Sequence, residues 1–352
     1  MTQSYDVKFS NPLEIRLKEL LECNNSHNDF PHCGIDRFDL YKNIKSKLND
    51  DYYRDVDSGL TKDSGGAAYT HHDLGHVDDV IRKAGQIVGL GSEANTPAFE
   101  SMKPYEVFVL LVACLIHDAG NKTGRKGHAA KARKVLVEVS DGRLAQKEIS
   151  IISNVAKAHG GETLSGGKDT IGELLSPKDG VDNTKVRPQM LAAILRLADE
   201  LAENYRRAST RNEPESVFPN LYCKRISPHI DYESRRLTLD FTLSDKDCKL
   251  YAKDEYGVEM YFLDYIANRV SKTELERRYC DRYLRGFATF EEIRVKIELL
   301  RKAEDWAEPI FFTLKEDGYP TDKPSEIVTK ELIDGKRIAT SYRAYCKEHQ
   351  DD

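Results

Sequence analysis

No stretch of this chain reaches the roughly 18 uninterrupted apolar residues that a membrane-spanning helix needs. The longest apolar block, "VFVLLVACLI" at 107–116, has instead the length of a buried core helix. The first twenty residues, "MTQSYDVKFSNPLEIRLKEL", lack the basic-then-apolar order of a secretory signal. The seven cysteines (23, 33, 114, 223, 248, 280 and 346) are an odd set without a C-x-x-C pair. Neither a disulfide scaffold nor a cysteine-type zinc site is suggested. A basic excess is missing too: 53 Lys and Arg against 59 Asp and Glu leave a formal charge of −6. Broad, sequence-independent nucleic-acid binding needs a basic footprint and is disfavoured; a small anionic substrate held by a few arginines is not. Internal repeats and low-complexity tracts are also absent. These absences point to a reduced, cytoplasmic protein.

What is present is globular: 39% hydrophobic and 32% charged over 352 residues, enough for about two domains with their own cores. Helix periodicity dominates up to about residue 210. "PLEIRLKELLEC" (12–23) repeats apolar residues at three and four. In "VDDVIRKAGQIVGL" (77–90), Val77, Val80, Ile81, Ala84, Ile87 and Val88 share one face and Gly91 signals a stop. "PYEVFVLLVACLI" opens on Pro104 and is apolar all round, so it is expected to be the central buried helix. Further helices are expected over 127–139, 143–158 and 187–208. "GELLSPKDGVDNT" (172–184) reads as a connecting loop or a lid.

The character changes at "NEPESVFPN" (212–220), whose two prolines mark a boundary. "RRLTLDFTL" (235–243) then alternates as a strand, with "CKLYA" (248–252) as its hairpin partner. A long helix (257–285) and a second strand, "IRVKIEL" (293–299), follow. The basic doublets at 235–236 and 277–278 read as solvated faces. The expected fold class is mainly α: a helical extension over 1–60, an all-helical domain over 61–211, and a smaller α/β domain over 212–352.

Six of the ten histidines lie between 71 and 159. "THHDLGHVDDVI" (70–81) concentrates three of them at a helix entrance. His117 and Asp118 end the apolar helix, His128 starts the next, His159 ends another, and Asp199 interrupts the apolar stripe "MLAAILRLA". A carboxylate at the end of an all-apolar helix is costly unless a partner charge offsets it. A divalent cation is such a partner, and a mixed imidazole–carboxylate set suits Mn, Fe, Co, Ni, Mg or Zn.

This order of residues on helices resembles the HD superfamily of metal-dependent phosphohydrolases. The similarity rests on "HVDDV", on "LLVACLIHDAGN" with its His-Asp doublet, and on "LAAILRLADELAENYRR", and it spans roughly residues 60 to 210. It implies that His76, His117, Asp118 and Asp199 hold one metal, with Asp118 bridging to a second that His128 and His159 complete. His128 follows the doublet by only ten residues, and the loop there reads "AGNKTGRKG" where HD-GYP proteins carry a longer stretch leading to their G-Y-P signature, so a cyclic-di-GMP phosphodiesterase of that kind is not supported. The short loop resembles that of HD-CE-type domains, found in bacterial nucleotide-signalling and defence contexts.

The implied chemistry is hydrolysis of a phosphoester in a nucleotide or nucleotide-derived messenger by cation-activated water, with Asp118 and His128 at the reacting centre. Lys122, Arg125 and Lys126 lie between the doublet and His128, where they face substrate phosphate or are plain solvated charges. Arg196 shares a helix face with Asp199, and Arg206 or Arg207 stands two turns on. His72 is a candidate helper at the site; for His71 a solvated loop position is the simpler reading. A single-strand nuclease and a non-catalytic nucleotide-sensing module are the alternatives, although nucleic acid is the less favoured substrate. Family habit leaves a homo-oligomer open.

Overall fold

The structure is a computed structural model. It describes residues 8–22, 29–32, 34–56, 70–94, 97–124, 131–163, 166–209, 216–315 and 327–349. The chain divides into two compact units. One comprises 1–66, 72–202 and 280–288, and the other 67–71, 203–279 and 289–352. Among the described residues, no helix is long and apolar enough to cross a membrane, and the five described cysteines are free thiols.

Among its described residues, the first unit is helical apart from one hairpin. Its helices are α1 (Pro12–Glu22), α2 (Arg37–Leu48), α3 (Leu74–Ile87), α4 (Pro104–Ile116), α5 (Ala132–Val139), α6 (Gln146–Lys157), α7 (Thr170–Leu174) and α8 (Pro188–Glu200). As its all-apolar pattern requires, α4 is the centre: every residue from Tyr105 to Ile116 is buried, and α1, α2, α3, α6 and α8 pack around it. Glu106 accepts from the Lys103 N–H at the start of α4 and from the Arg187 N–H and guanidinium at the start of α8, so one carboxylate sets both helix entrances. The predicted apolar face of α3 (Val77, Val80, Ile81, Ala84, Ile87) is fully buried.

The predicted start and stop of α3 are displaced, for local reasons. Asp73 accepts from the His76 N–H at 3.1 Å, so the helix begins at Leu74 and places His76 inside its first turn. At the other end, Leu90 N–H donates to Gly85 O and Gly89 N–H to Gln86 O, with Gly89 at φ +84°. That is a Schellman closure, which requires the left-handed backbone that glycine adopts without strain, and it ends the helix ahead of Gly91. The expected loop at 172–184 is also corrected. It holds the end of α7 and the hairpin β1 (Asp179–Val181) with β2 (Thr184–Val186).

In the second unit, α9 (Val217–Arg225) leads into a mixed sheet. Strand β3 (Ile226–Asp231) is antiparallel to β4 (Arg236–Ser244), and β4 is parallel to β7 (Glu292–Arg301). Strand β7 also pairs antiparallel with β8 (Glu304–Asp305) and β9 (Ile310–Lys315). A short turn of helix, α10 (Asp245–Cys248), occupies part of the segment expected to pair with β4. The actual antiparallel partner of β4 is β3, while β5 (Tyr251–Lys253) pairs with β6 (Glu259–Tyr261). Helix α11 (Phe262–Leu284) leads on from β6 towards β7, a long connection of the kind parallel strands demand. The last described element is α12 (Gly335–Glu348), which periodicity did not reveal.

The alternation read in 235–243 holds: Leu237, Leu239, Phe241 and Leu243 are buried, register with Ile293, Val295, Ile297 and Leu299, and Phe241 meets Tyr222 of α9. Residues 217–220 form the first turn of α9. One expectation fails here. Arg277, expected on a solvated face, is 1% exposed, because Glu274 grips its guanidinium with two hydrogen bonds and Phe290 O accepts a third.

Candidate metal centre

Four helix ends of the first unit bring the site together. The first turn of α3 supplies His76, the end of α4 supplies His117 and Asp118, the residue after the C-cap of α6 is His159, and the last turn of α8 carries Asp199. His76 Nε2 lies 3.1 Å from Asp199 Oδ1 and 3.9 Å from Asp118 Oδ2. His117 Nε2 is 3.4 Å from Asp118 Oδ2 and 3.7 Å from Asp199 Oδ1, and His159 Nε2 is 3.9 Å from Asp118 Oδ1. Adjacent rings stack edge to face or tilted, 5.7 Å apart for His76 and His117 and 5.0 Å for His117 and His159.

Backbone carbonyls decide which ring nitrogen faces the cluster. His117 Nδ1 is 2.8 Å from Cys114 O, and His159 Nδ1 is 2.5 Å from Ala156 O. A carbonyl can only accept, so each Nδ1 carries a proton and each Nε2 is turned to the carboxylates. The doublet has a further support. The segment Asn49–Tyr53, a π-helical turn, places the Tyr53 hydroxyl 2.6 Å from Leu115 O, two residues before His117. Burial, with the charges of Asp118 among the added causes, raises the Tyr53 pKa well above the ordinary phenol value, so the hydroxyl stays a donor. Helix α3 is fixed from behind, where the buried Lys45 ammonium meets Asp78 at 2.6 Å and Glu14 at 2.8 Å.

The donor set fits a divalent cation. His76 Nδ1 and Nε2 and His117 Nε2 are buried without a hydrogen-bond partner. His76 Nε2 is near Asp199, but not with hydrogen-bond geometry. Burying unpaired imidazole nitrogens beside two carboxylates is costly unless something shared lies between them. Nitrogens and oxygens about 2.0–2.2 Å from one ion stand roughly 3.0–3.6 Å from each other, close to the spacings observed. The ligand-capable atoms of His76, His117 and Asp118 all lie within 4.8 Å of one another. Without a cation, a proton fills the role. Burial alone would lower the His117 pKa, but Asp118 and Asp199 outweigh it and push it up to about 10. Burial would likewise raise Asp199, yet the His117 and His76 rings hold it well below the usual carboxylate range.

The other expected site residues are placed variously. His72 joins the cluster's rim, with Nε2 3.9 Å from Asp118 Oδ2 and its ring 5.7 Å from that of His76. His71 falls in the second unit, its backbone paired with Arg207. Lys122 reaches away from the doublet, donating to Asp51 O, 3.6 Å from Asp55 and over the Tyr52 ring. Arg196 is buried and donates to Thr170 Oγ1 at 3.0 Å. Arg206 is exposed in the second unit, because α8 ends at Glu200 and residues Tyr205–Arg207 form a separate 3-10 turn. His128, Arg125 and Lys126 lie outside the described residues. Asp73 and Tyr53 were missed as contributors. The Asp73 cap was open to a reading of "HHDLGH" as an N-terminal signal, whereas nothing local marks Tyr53.

A helical unit in which His76, His117, Asp118, His159 and the half-buried Asp199 converge from four helix ends is compatible with an HD-type motif. Comparison with known families matches residues 66–272, more than half of the chain, to the HD-CE family, and the chain belongs to that family. A comparison with curated proteins gave no match.

Proposed function

We propose that the protein is a metal-dependent phosphohydrolase that cleaves a phosphoester in a nucleotide or nucleotide-derived signalling molecule. The observation that carries this reading is the burial of unpartnered imidazole nitrogens of His76 and His117 against Asp118 and Asp199. His76, His117, Asp118 and Asp199 would hold one cation. His159, with Asp118 shared and His128 added, would hold a second. Bound there, such ions activate a water for attack at phosphorus and offset charge on the phosphoryl oxygens. The chain's own groups prepare the place: Cys114 O and Ala156 O fix the ring tautomers, and His72 stands beside Asp118 where it can contact a phosphate oxygen or the departing group.

The test is incubation with manganese and a panel of mono-, tri-, cyclic and alarmone-type nucleotides plus a short single-stranded oligonucleotide, resolved by mass, with Asp118→Ala alongside. A product lost in the variant while the fold survives establishes the activity and identifies the bond. Cleavage of the oligonucleotide alone would mark a nuclease. No turnover together with no bound metal would leave a nucleotide-sensing module.

A further inference from the structure

Thr170, which no sequence pattern singles out, sits between two walls of the site. It is 1% exposed and is the first residue of α7. Its hydroxyl donates to Ala158 O at 2.8 Å, and the hydroxyl oxygen in turn accepts from Arg196 Nη1 at 3.0 Å. Ala158 is the C-cap of α6 and immediately precedes His159; Arg196 lies on α8, one turn before Asp199. The last four carbonyls of a helix have no partner within it, and a buried one left unpaired costs free energy. The Thr170 hydroxyl supplies that partner at the residue from which the chain turns to present the His159 ring.

The donor is itself held in place. Asp169 caps α7 by accepting from Gly172 N–H at 2.9 Å, and Tyr283 donates to the same carboxylate at 2.6 Å. A Cβ on Gly172 would stand 2.7 Å from both Asp169 oxygens and 2.8 Å from the Tyr283 hydroxyl, so any other residue there requires the Asp169 carboxylate and the Tyr283 hydroxyl to shift. Beyond Ala158 the backbone turns through Gly161 at φ +84°. The hydroxyl of Thr170 ties the residue before His159 to α7 and, through Arg196, to α8.

We propose that Thr170 is a positioning residue. Its hydroxyl, bonded by the Arg196 guanidinium, locks the turn carrying His159 to the helix carrying Asp199, so that the two approach Asp118 in register. On this view the buried Arg196 acts through Thr170 and not on substrate. The consequence for metal uptake rests on the proposed function; the positioning itself does not.

The experiment uses the full chain with 15N-labelled histidine, and His159→Gln assigns the His159 signals. In metal-free protein, wild type and Thr170→Ser should show the His159 Nδ1–H resonance protected by the Ala156 carbonyl. Thr170→Val, equal in shape but without the hydroxyl, should lose that protection. Manganese titration of the same samples should show uptake weakened about tenfold to hundredfold in Thr170→Val, the range for lost support of a metal ligand. Thr170→Ser should restore it, and adding Thr170→Val to His159→Gln should weaken binding no further. Arg196→Lys supplies the same comparison should Thr170→Val not fold. A Thr170→Val protein with the wild-type His159 signal and wild-type manganese uptake, whatever its melting temperature, overturns the proposal. If wild type takes up no manganese while the His159 signal responds as expected, the metal reading fails and the positioning stands.

Discussion

In metal-free protein the site should behave as a proton trap, and removing that proton by pH is the most informative perturbation. His117 is fully buried and its pKa is pushed up to about 10 by Asp118 and Asp199, against about 6.5 for an unfolded histidine. A group whose folded pKa is raised contributes stability that is complete below the unfolded value and is lost as pH climbs through the folded value. The loss should therefore run from about pH 6.5 to about pH 10, at no more than about 1.4 kcal/mol per pH unit for one proton. The full effect is about 5 kcal/mol at most. For a cooperative unit of about 200 residues, that slope lowers the melting temperature by about 3–5 °C per pH unit. Asp199 acts in the opposite range: its depressed pKa contributes stability above the ordinary carboxylate value, which is lost as pH falls through the lower folded one.

A cation replaces the same proton. With excess manganese the downward slope between pH 7 and 9 should flatten, and the logarithm of the binding constant should rise by about one per pH unit. Thermal unfolding in EDTA, repeated with manganese and with His117→Gln, checks both parts. A melting temperature independent of pH in EDTA would refute the electrostatic account, as would an equal slope in His117→Gln.

Three further outcomes are expected. Asp73→Ala removes the cap of α3 and should cost about 1 kcal/mol of stability, read by denaturant midpoint, with weaker metal uptake because His76 sits in the freed turn. Lys45→Met leaves Glu14 and Asp78 without their buried counter-charge and should destabilise by about 3–5 kcal/mol in urea unfolding; a near-neutral result would mean that water reaches these carboxylates. Tyr53→Phe strips the donor from Leu115 O in a buried setting, which should cost about 1–3 kcal/mol and lower metal affinity measured by titration calorimetry.

The sequence by itself determined the local features. The apolar periodicities of α3, α4 and α8 made their buried faces legible, and "LLVACLIHDAGN" made the helix-ending doublet legible, because period and helix-end chemistry are written in neighbouring residues. The alternation at 235–243 likewise foretold which side of β4 is buried. Tertiary structure decided what depends on distant partners. It set β3 rather than 248–252 against β4, and it buried Arg277 by supplying Glu274 and Phe290 O. It turned Arg196 inward to Thr170 and left Arg206 off α8. The same distinction runs through the site. That His76, His117, Asp118, His159 and Asp199 are ligand-type residues could be read in order along the chain. That their nitrogens and oxygens stand 3.1–3.9 Å apart follows only from the packing of α3, α6 and α8 around α4.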